Sequence, residues 1–141
     1  MDKKKNFNKK TWVTSSLRRM SYRYPPRNEA LKNGRVDRGL YKCAMCEGIF
    51  HQKEVKIDHV EPVVPFTGFP MHPLTQGPDW TIFMDRLFCD VEGFQLLCDP
   101  CHDQKTIIED TMRATYNAEQ KEIEKKKLKE EKKLAKLNRK K

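Results

Sequence analysis

Two Cys-x-x-Cys pairs, Cys43/Cys46 and Cys98/Cys101, constrain this chain more than any other feature in it. A two-residue gap lets both sulfurs of a pair reach one tetrahedral ion, and two such knuckles make a closed four-thiolate zinc site. Zinc held there joins the entrance of a domain to its last helix, closing a long loop. A staple of this kind is needed, because 141 residues of mean hydropathy −0.87 with 37% hydrophobic residues leave little apolar material for a large core. The run Cys98-Asp99-Pro100-Cys101-His102 also matches the attachment site of a c-type haem. That reading leaves Cys43 and Cys46 without a role and requires export, for which the start of the chain carries no signal. Cys89 lies outside both pairs and reads as an ordinary part-buried thiol.

Charge divides the chain into three. Residues 1 to 42 hold 13 Lys and Arg against 3 acids, residues 43 to 110 hold 4 against 12, and residues 111 to 141 hold 12 against 5. Two basic arms around an acidic centre point to a polyanion partner, nucleic acid first and an anionic membrane second, with solvated tails as the bland alternative. Carboxylates beside His and Cys in the centre point to bound cations. No apolar run approaches the roughly 20 residues that cross a bilayer, so no membrane partner and a cytoplasmic location are expected. In a reducing compartment, paired cysteines more often hold metal than form disulfides.

The pattern along the chain predicts a disordered arm over residues 1 to 10 and a weak helix carrying Trp12, Leu17 and Met20, ended by Pro25 and Pro26. A short helix follows over Arg27 to Val36, then a strand at Leu40 to Lys42 entering the first cysteine pair. Val55 to Val64 predicts a strand ending near Pro62, with Asp58 and His59 on opposite faces. Asp79 to Phe88 has helical apolar spacing behind an aspartate cap, and Glu92 to Leu97 predicts a second strand. Asp99 as cap and Pro100 in the first position start a helix that places His102, Lys105, Thr106 and Glu109 along its early turns. The chain then continues as one increasingly charged helix, whose Ile123, Leu128, Leu134 and Leu137 are too irregular for a heptad seam.

If Asp58 turns toward the helix bearing His102, one carboxylate and one imidazole hold a divalent ion on an open site. His59 is then placed to act as general base. Arg18, Arg19, Arg23, Arg27, Arg35 and Arg38, interleaved with Trp12, Tyr22 and Tyr24, suit phosphate contact with stacking, or else solvate a small core.

Three stretches in this order, Tyr41-Lys-Cys-Ala-Met-Cys-Glu-Gly, Val55-Lys-Ile-Asp-His-Val-Glu-Pro-Val and Phe94-Gln-Leu-Leu-Cys-Asp-Pro-Cys-His-Asp-Gln-Lys-Thr, resemble the HNH endonucleases in their zinc-stapled bacteriophage form. The resemblance covers roughly residues 27 to 110. It implies a small α+β fold with a ββα-metal (His-Me finger) core stapled by a four-cysteine zinc site, flanked by a basic arm (1–26) and a Lys-rich C-terminal helix (111–141). It also implies that Asp58 and His102 bind a catalytic Mg²⁺ or Mn²⁺, that His59 activates water, and that Cys43, Cys46, Cys98 and Cys101 bind structural zinc. Lys105 is then a candidate for a neighbouring phosphate. The implied partner is DNA, with phage terminase or packaging proteins, or a mobile-element role, in the host-cell cytoplasm. The position of the family's middle Asn is Gly93 here, which leaves a backbone carbonyl, Glu92 or Asp90 to orient His59. The alternative is an inactive zinc-ribbon DNA-binding or scaffold protein.

Overall fold

The computed structural model describes residues 7–139, so the first six residues of the expected N-terminal arm lie outside it. Helix α1 (Lys9–Ser21) begins where the Asn8 side chain accepts the Thr11 N–H at 3.1 Å. Of the three apolar residues expected on its inner face, Leu17 packs inward, whereas Trp12 and Met20 stay exposed. Pro25 and Pro26 open helix α2 (Pro25–Asn33), because their fixed φ suits a first turn whose N–H groups have no helical partner. The helix expected to reach Val36 stops at Asn33. Gly34 N–H closes on the Ala30 carbonyl at 3.1 Å, and Arg35–Asp37 becomes strand β1.

Strands β1, β2 (Leu40–Lys42) and β3 (Ile49–His51) form a three-stranded antiparallel sheet in that order. Strand β3 has no counterpart in the sequence pattern, since a three-residue strand after the turn at Gly48 is too short to show alternation. Strand β4 (Val55–His59) pairs antiparallel with β5 (Phe94–Cys98), setting Val55 opposite Cys98, Asp58 opposite Gln95 and His59 opposite Phe94. Beyond His59 one further bond, from Val60 N–H to the Gly93 carbonyl, extends the contact before Pro62 and Pro65 prevent a ladder, so β4 ends earlier than the expected Pro62. Residues Val91–Gly93 form a 3-10 turn, which delays β5 to Phe94.

Helix α3 (Trp80–Leu87) lies in the long connection between β4 and β5, with Asp79 capping Ile82 N–H at 3.1 Å as its sequence predicts. Helix α4 (Asp99–Asn138) follows β5 without a loop. Its cap is Cys98 rather than Asp99, because the ladder with Val55 holds Cys98 extended and the helix starts at the next residue.

Two small apolar clusters support these elements. One joins Cys43, Leu97, Cys98 and Cys101 to Phe50; the other joins Val63, Phe83 and Leu87 to Leu17, Phe69, Trp80 and Phe88. A fully buried Leu or Phe contributes about 1.5–3 kcal/mol, so clusters of this size are a small apolar store for the domain. Packing continues through the boundary expected at residue 26. Leu17 sits against the second cluster, and the Tyr24 hydroxyl donates to the Phe88 carbonyl at 3.0 Å. Among the described residues no helix is long and apolar enough to cross a membrane.

Candidate functional site

The four cysteines come together as their spacing predicts. Cys43 and Cys46 lie on the turn between β2 and β3, where Glu47 adopts a left-handed conformation (φ 58°) and donates its N–H to the Cys43 carbonyl at 3.0 Å. Cys98 ends β5 and Cys101 lies in the first turn of α4. Ala44 N–H bonds the Leu96 carbonyl at 2.8 Å and Cys98 N–H bonds the Cys43 sulfur at 3.3 Å, which fixes one knuckle on the other. All four sulfurs fall within 4.8 Å of one another, and Cys46 Sγ stands 3.8 Å from Cys98 Sγ. A tetrahedron with Zn–S bonds of about 2.3 Å has an edge of about 3.8 Å, so the Cys46–Cys98 separation matches it and the cluster is compatible with one metal ion. No pair is oxidised to a disulfide. Burial alone raises the Cys43 thiol, but N–H groups of Cys46, Cys98 and Met45 outweigh it and hold Cys43 down to about 6, whereas the Cys98 sulfur and burial push Cys101 up to about 12. Burial likewise raises the Cys98 thiol, and a divalent cation bound here would displace the protons that Cys98 and Cys101 keep.

A second cluster meets α4 at His102, the residue after Cys101. Arg18, Arg27, Asp58, His59, Leu87 and His102 line one cavity of about 250 Å³. The residues predicted to act together are therefore brought together from α1, α2, β4 and α4. The alternation along β4 decides their roles. Lys56 and Asp58 both face α4, pairing with Asp99 at 3.2 Å and with Lys105 at 2.8 Å, while His59 turns toward α3 and β5.

His59 Nε2 donates to the Leu87 carbonyl at 3.0 Å, and its ring packs on Phe94 with centroids 4.8 Å apart. A carbonyl only accepts, so Nε2 carries the proton and Nδ1 keeps its lone pair. Of the three candidates to orient His59, the backbone carbonyl fills the role, while Asp90 and Glu92 make no hydrogen bond to the ring. Gly93 could not supply a side chain. A Cβ built there meets Cys89 Sγ at 2.5 Å and Cys89 Cβ at 2.9 Å. Gly93→Ala is therefore expected to cost roughly 1–3 kcal/mol in urea melts, partly recovered by adding Cys89→Ala. An unchanged midpoint would contradict this contact.

Lys105 does not face outward toward a phosphate. Its ammonium, with the side chain 15% exposed, reaches Asp58 Oδ2 at 2.8 Å, the His59 carbonyl at 3.0 Å and the Glu109 carboxylate, so all three donors have acceptors. It ties the helix carrying His102 to the strand carrying Asp58 and His59. Asp58 Oδ2 also faces Gln95 Nε2 at 3.5 Å, which leaves Oδ1 without a protein hydrogen bond among the described residues. His102 Nδ1 is buried without a hydrogen-bond partner, the nearest carboxylate, Asp103, standing at 3.6 Å. Asp58 and His102 thus line one cavity, with one carboxylate oxygen and one imidazole nitrogen that make no hydrogen bond among the described residues. Among the described residues the cysteines are the one group of three or more metal-ligating side chains this close together.

The predicted arginines separate. Arg18 and Arg27 line the cavity, Arg27 donating to the Ile57 carbonyl at 3.3 Å and lying over the Tyr22 ring at 4.9 Å. Arg19 and Arg23 are exposed elsewhere on α1 and just after it, and Arg35 and Arg38 belong to the three-stranded sheet, away from the cavity lining. Sequence reasoning missed the Leu87 carbonyl and Glu109. The first carries no side-chain signal, and the second was visible only as an acid four residues after Lys105.

Comparison with protein-family models, with curated proteins and with solved structures finds no match to this chain.

Proposed function

We propose that this protein is a metal-dependent DNA endonuclease of the HNH type, with β4, β5 and α4 as its ββα-metal core and zinc on its four cysteines. The reading rests above all on one observation: Asp58, His59 and His102 surround a single polar cavity, with His59 held by the Leu87 carbonyl in the tautomer a base requires. In this reading His59 Nδ1 takes the proton of the attacking water, and its Nε2–H stays on Leu87 while charge develops on the ring. Arg18 and Arg27 at the cavity lining face the phosphate. Asp58 and His102 would hold Mg²⁺ or Mn²⁺, which would supply neutralisation of charge on the phosphate and the departing 3′ oxygen. Lys105 orients Asp58 through Oδ2 and keeps α4 at its distance from β4.

Gly93 is the argument for an inactive DNA-binding protein. The Leu87 carbonyl weakens it, because the orienting bond does not depend on a side chain at position 93.

Incubation with supercoiled plasmid and Mg²⁺ or Mn²⁺ tests the proposal. Wild type is expected to nick or cut, and Asp58→Asn to need a higher metal concentration and to cut at least about 100-fold more slowly. Plasmid left intact by folded wild type with every divalent ion would end the catalytic reading.

A further inference from the structure

Helix α4 runs far past the domain. From Asn117 to Arg139 every residue is exposed, and nothing among the described residues packs against this segment. A solvated helix of mixed charge has no reason to sort its cations, yet six of the nine between Asn117 and Arg139 line up. Lys121, Lys125, Lys129, Lys132, Lys136 and Arg139 follow at intervals of 4, 4, 3, 4 and 3 residues. At about 100° per residue those positions fall within an arc of about 80°. The acids of the segment, Glu119, Glu122, Glu124, Glu130 and Glu131, all lie outside that arc. The result is a stripe of six cations about 27 Å long, at a rise of about 1.5 Å per residue.

We infer that this stripe is a docking surface for the phosphate backbone of a nucleic-acid duplex, separate from the cavity that holds His59. Charge complementarity favours that occupant. Duplex DNA offers a phosphate line with one charge per about 1.7 Å of axis, and a straight row of flexible lysines follows it without base contacts. The opposite side does not suit a lipid surface. Ile123, Leu134 and Leu137 share it with Glu119 and Glu130, so there is no continuous apolar face to enter a bilayer. A second copy of the chain suits it no better, because a stripe of one sign repels its own copy and the apolar residues form no seam.

Within the stripe, Lys125 has the one acidic neighbour, Glu122 at 2.7 Å, in an exposed pair of little strength. Lys129, Lys132 and Lys136 form no ion pair among the described residues. The helix is continuous from His102, so the stripe begins about 28 Å along the axis from the cavity. It therefore adds affinity for long duplexes without touching the reacting bond.

This inference shares only the nucleic-acid partner with the proposed function. Binding measured without added divalent ion separates the two, since loss of cleavage leaves it unaffected. Two variants of equal charge are compared on a duplex of about 30 base pairs across a salt series: Lys129→Gln/Lys132→Gln/Lys136→Gln in the stripe, and Lys126→Gln/Lys127→Gln/Lys133→Gln outside it. Glutamine keeps helix propensity close to that of lysine, and circular dichroism checks it. The stripe variant is expected to lower the slope of log K against log salt by about 2 to 3, from about 0.9 per neutralised phosphate, and the other variant by less than about 1. Equal changes in both would overturn the stripe as a site. So would wild-type binding to phosphatidylserine vesicles that the stripe variant alone loses while its duplex slope stays at the wild-type value.

Discussion

Cys98→Ser is expected to leave the chain without a cooperative thermal transition, and zinc content measured on the variant to fall from one ion per chain to a small fraction. A structural zinc site contributes on the order of 10–16 kcal/mol in small domains, more than the roughly 5–15 kcal/mol that holds a typical domain folded. The two apolar clusters cannot make up the difference, since the first is itself built of Cys43, Cys98 and Cys101 around Leu97. Position 98 has the widest reach of the four. Its backbone ends β5, starts α4 and donates its N–H to the Cys43 sulfur, so serine keeps those bonds and removes only the sulfur that would anchor this strand-to-helix junction to a metal. A melt of Cys98→Ser that overlays wild type would remove the structural metal.

His59→Ala is expected to stop cleavage while leaving fold and DNA affinity in place. Removal of a general base costs about 100- to 10,000-fold. The ring bonds the Leu87 carbonyl and packs at a tilt on Phe94, so its removal takes no side chain from either apolar cluster. The pH profile supplies a check specific to the base. Burial lowers the His59 pKa below its ordinary value, partly offset by the bond to Leu87 and the charge of Asp58, with Arg18 and Arg27 lowering it further. A base works deprotonated, so the rate stays level from neutral pH down past about 6.5 and falls only as pH drops through the lowered value. A rate still rising with pH above 7 would assign the base to another group.

How much of this was legible in the sequence follows from which interactions side-chain identity encodes. Thiol spacing predicted the cysteine cluster because its four converging groups are side chains of one residue type at a fixed spacing. The caps and prolines placed α3 and the start of α2, and alternation along β4 assigned Asp58 and His59 to different faces, as Lys105 and Leu87 bear out. Backbone partners were hidden. The Leu87 carbonyl reaches His59 from 28 residues away, and no residue type marks a carbonyl as available. Gly93 read as a missing orienting side chain because its neighbour Cys89, four residues back, fills the space only once the 3-10 turn has formed. Lys105 read as a phosphate contact because two acids that neutralise it sit on separate elements. Helix α1 read as an arm because its charge conceals Leu17, which packs against the cluster of Val63, Phe83 and Leu87, and the buried Ser21.

The central claim is that one chain holds two divalent ions of different purpose, a permanent one on four sulfurs and an exchangeable one beside His59. The direct measurement is plasmid cleavage by protein dialysed against a weak chelator, with zinc quantified before and after and Mg²⁺ then restored. One zinc per chain is expected to survive dialysis, cleavage to disappear, and Mg²⁺ alone to bring it back. Folded protein that retains its zinc, binds duplex DNA and cleaves nothing when Mg²⁺ or Mn²⁺ is returned would contradict that claim.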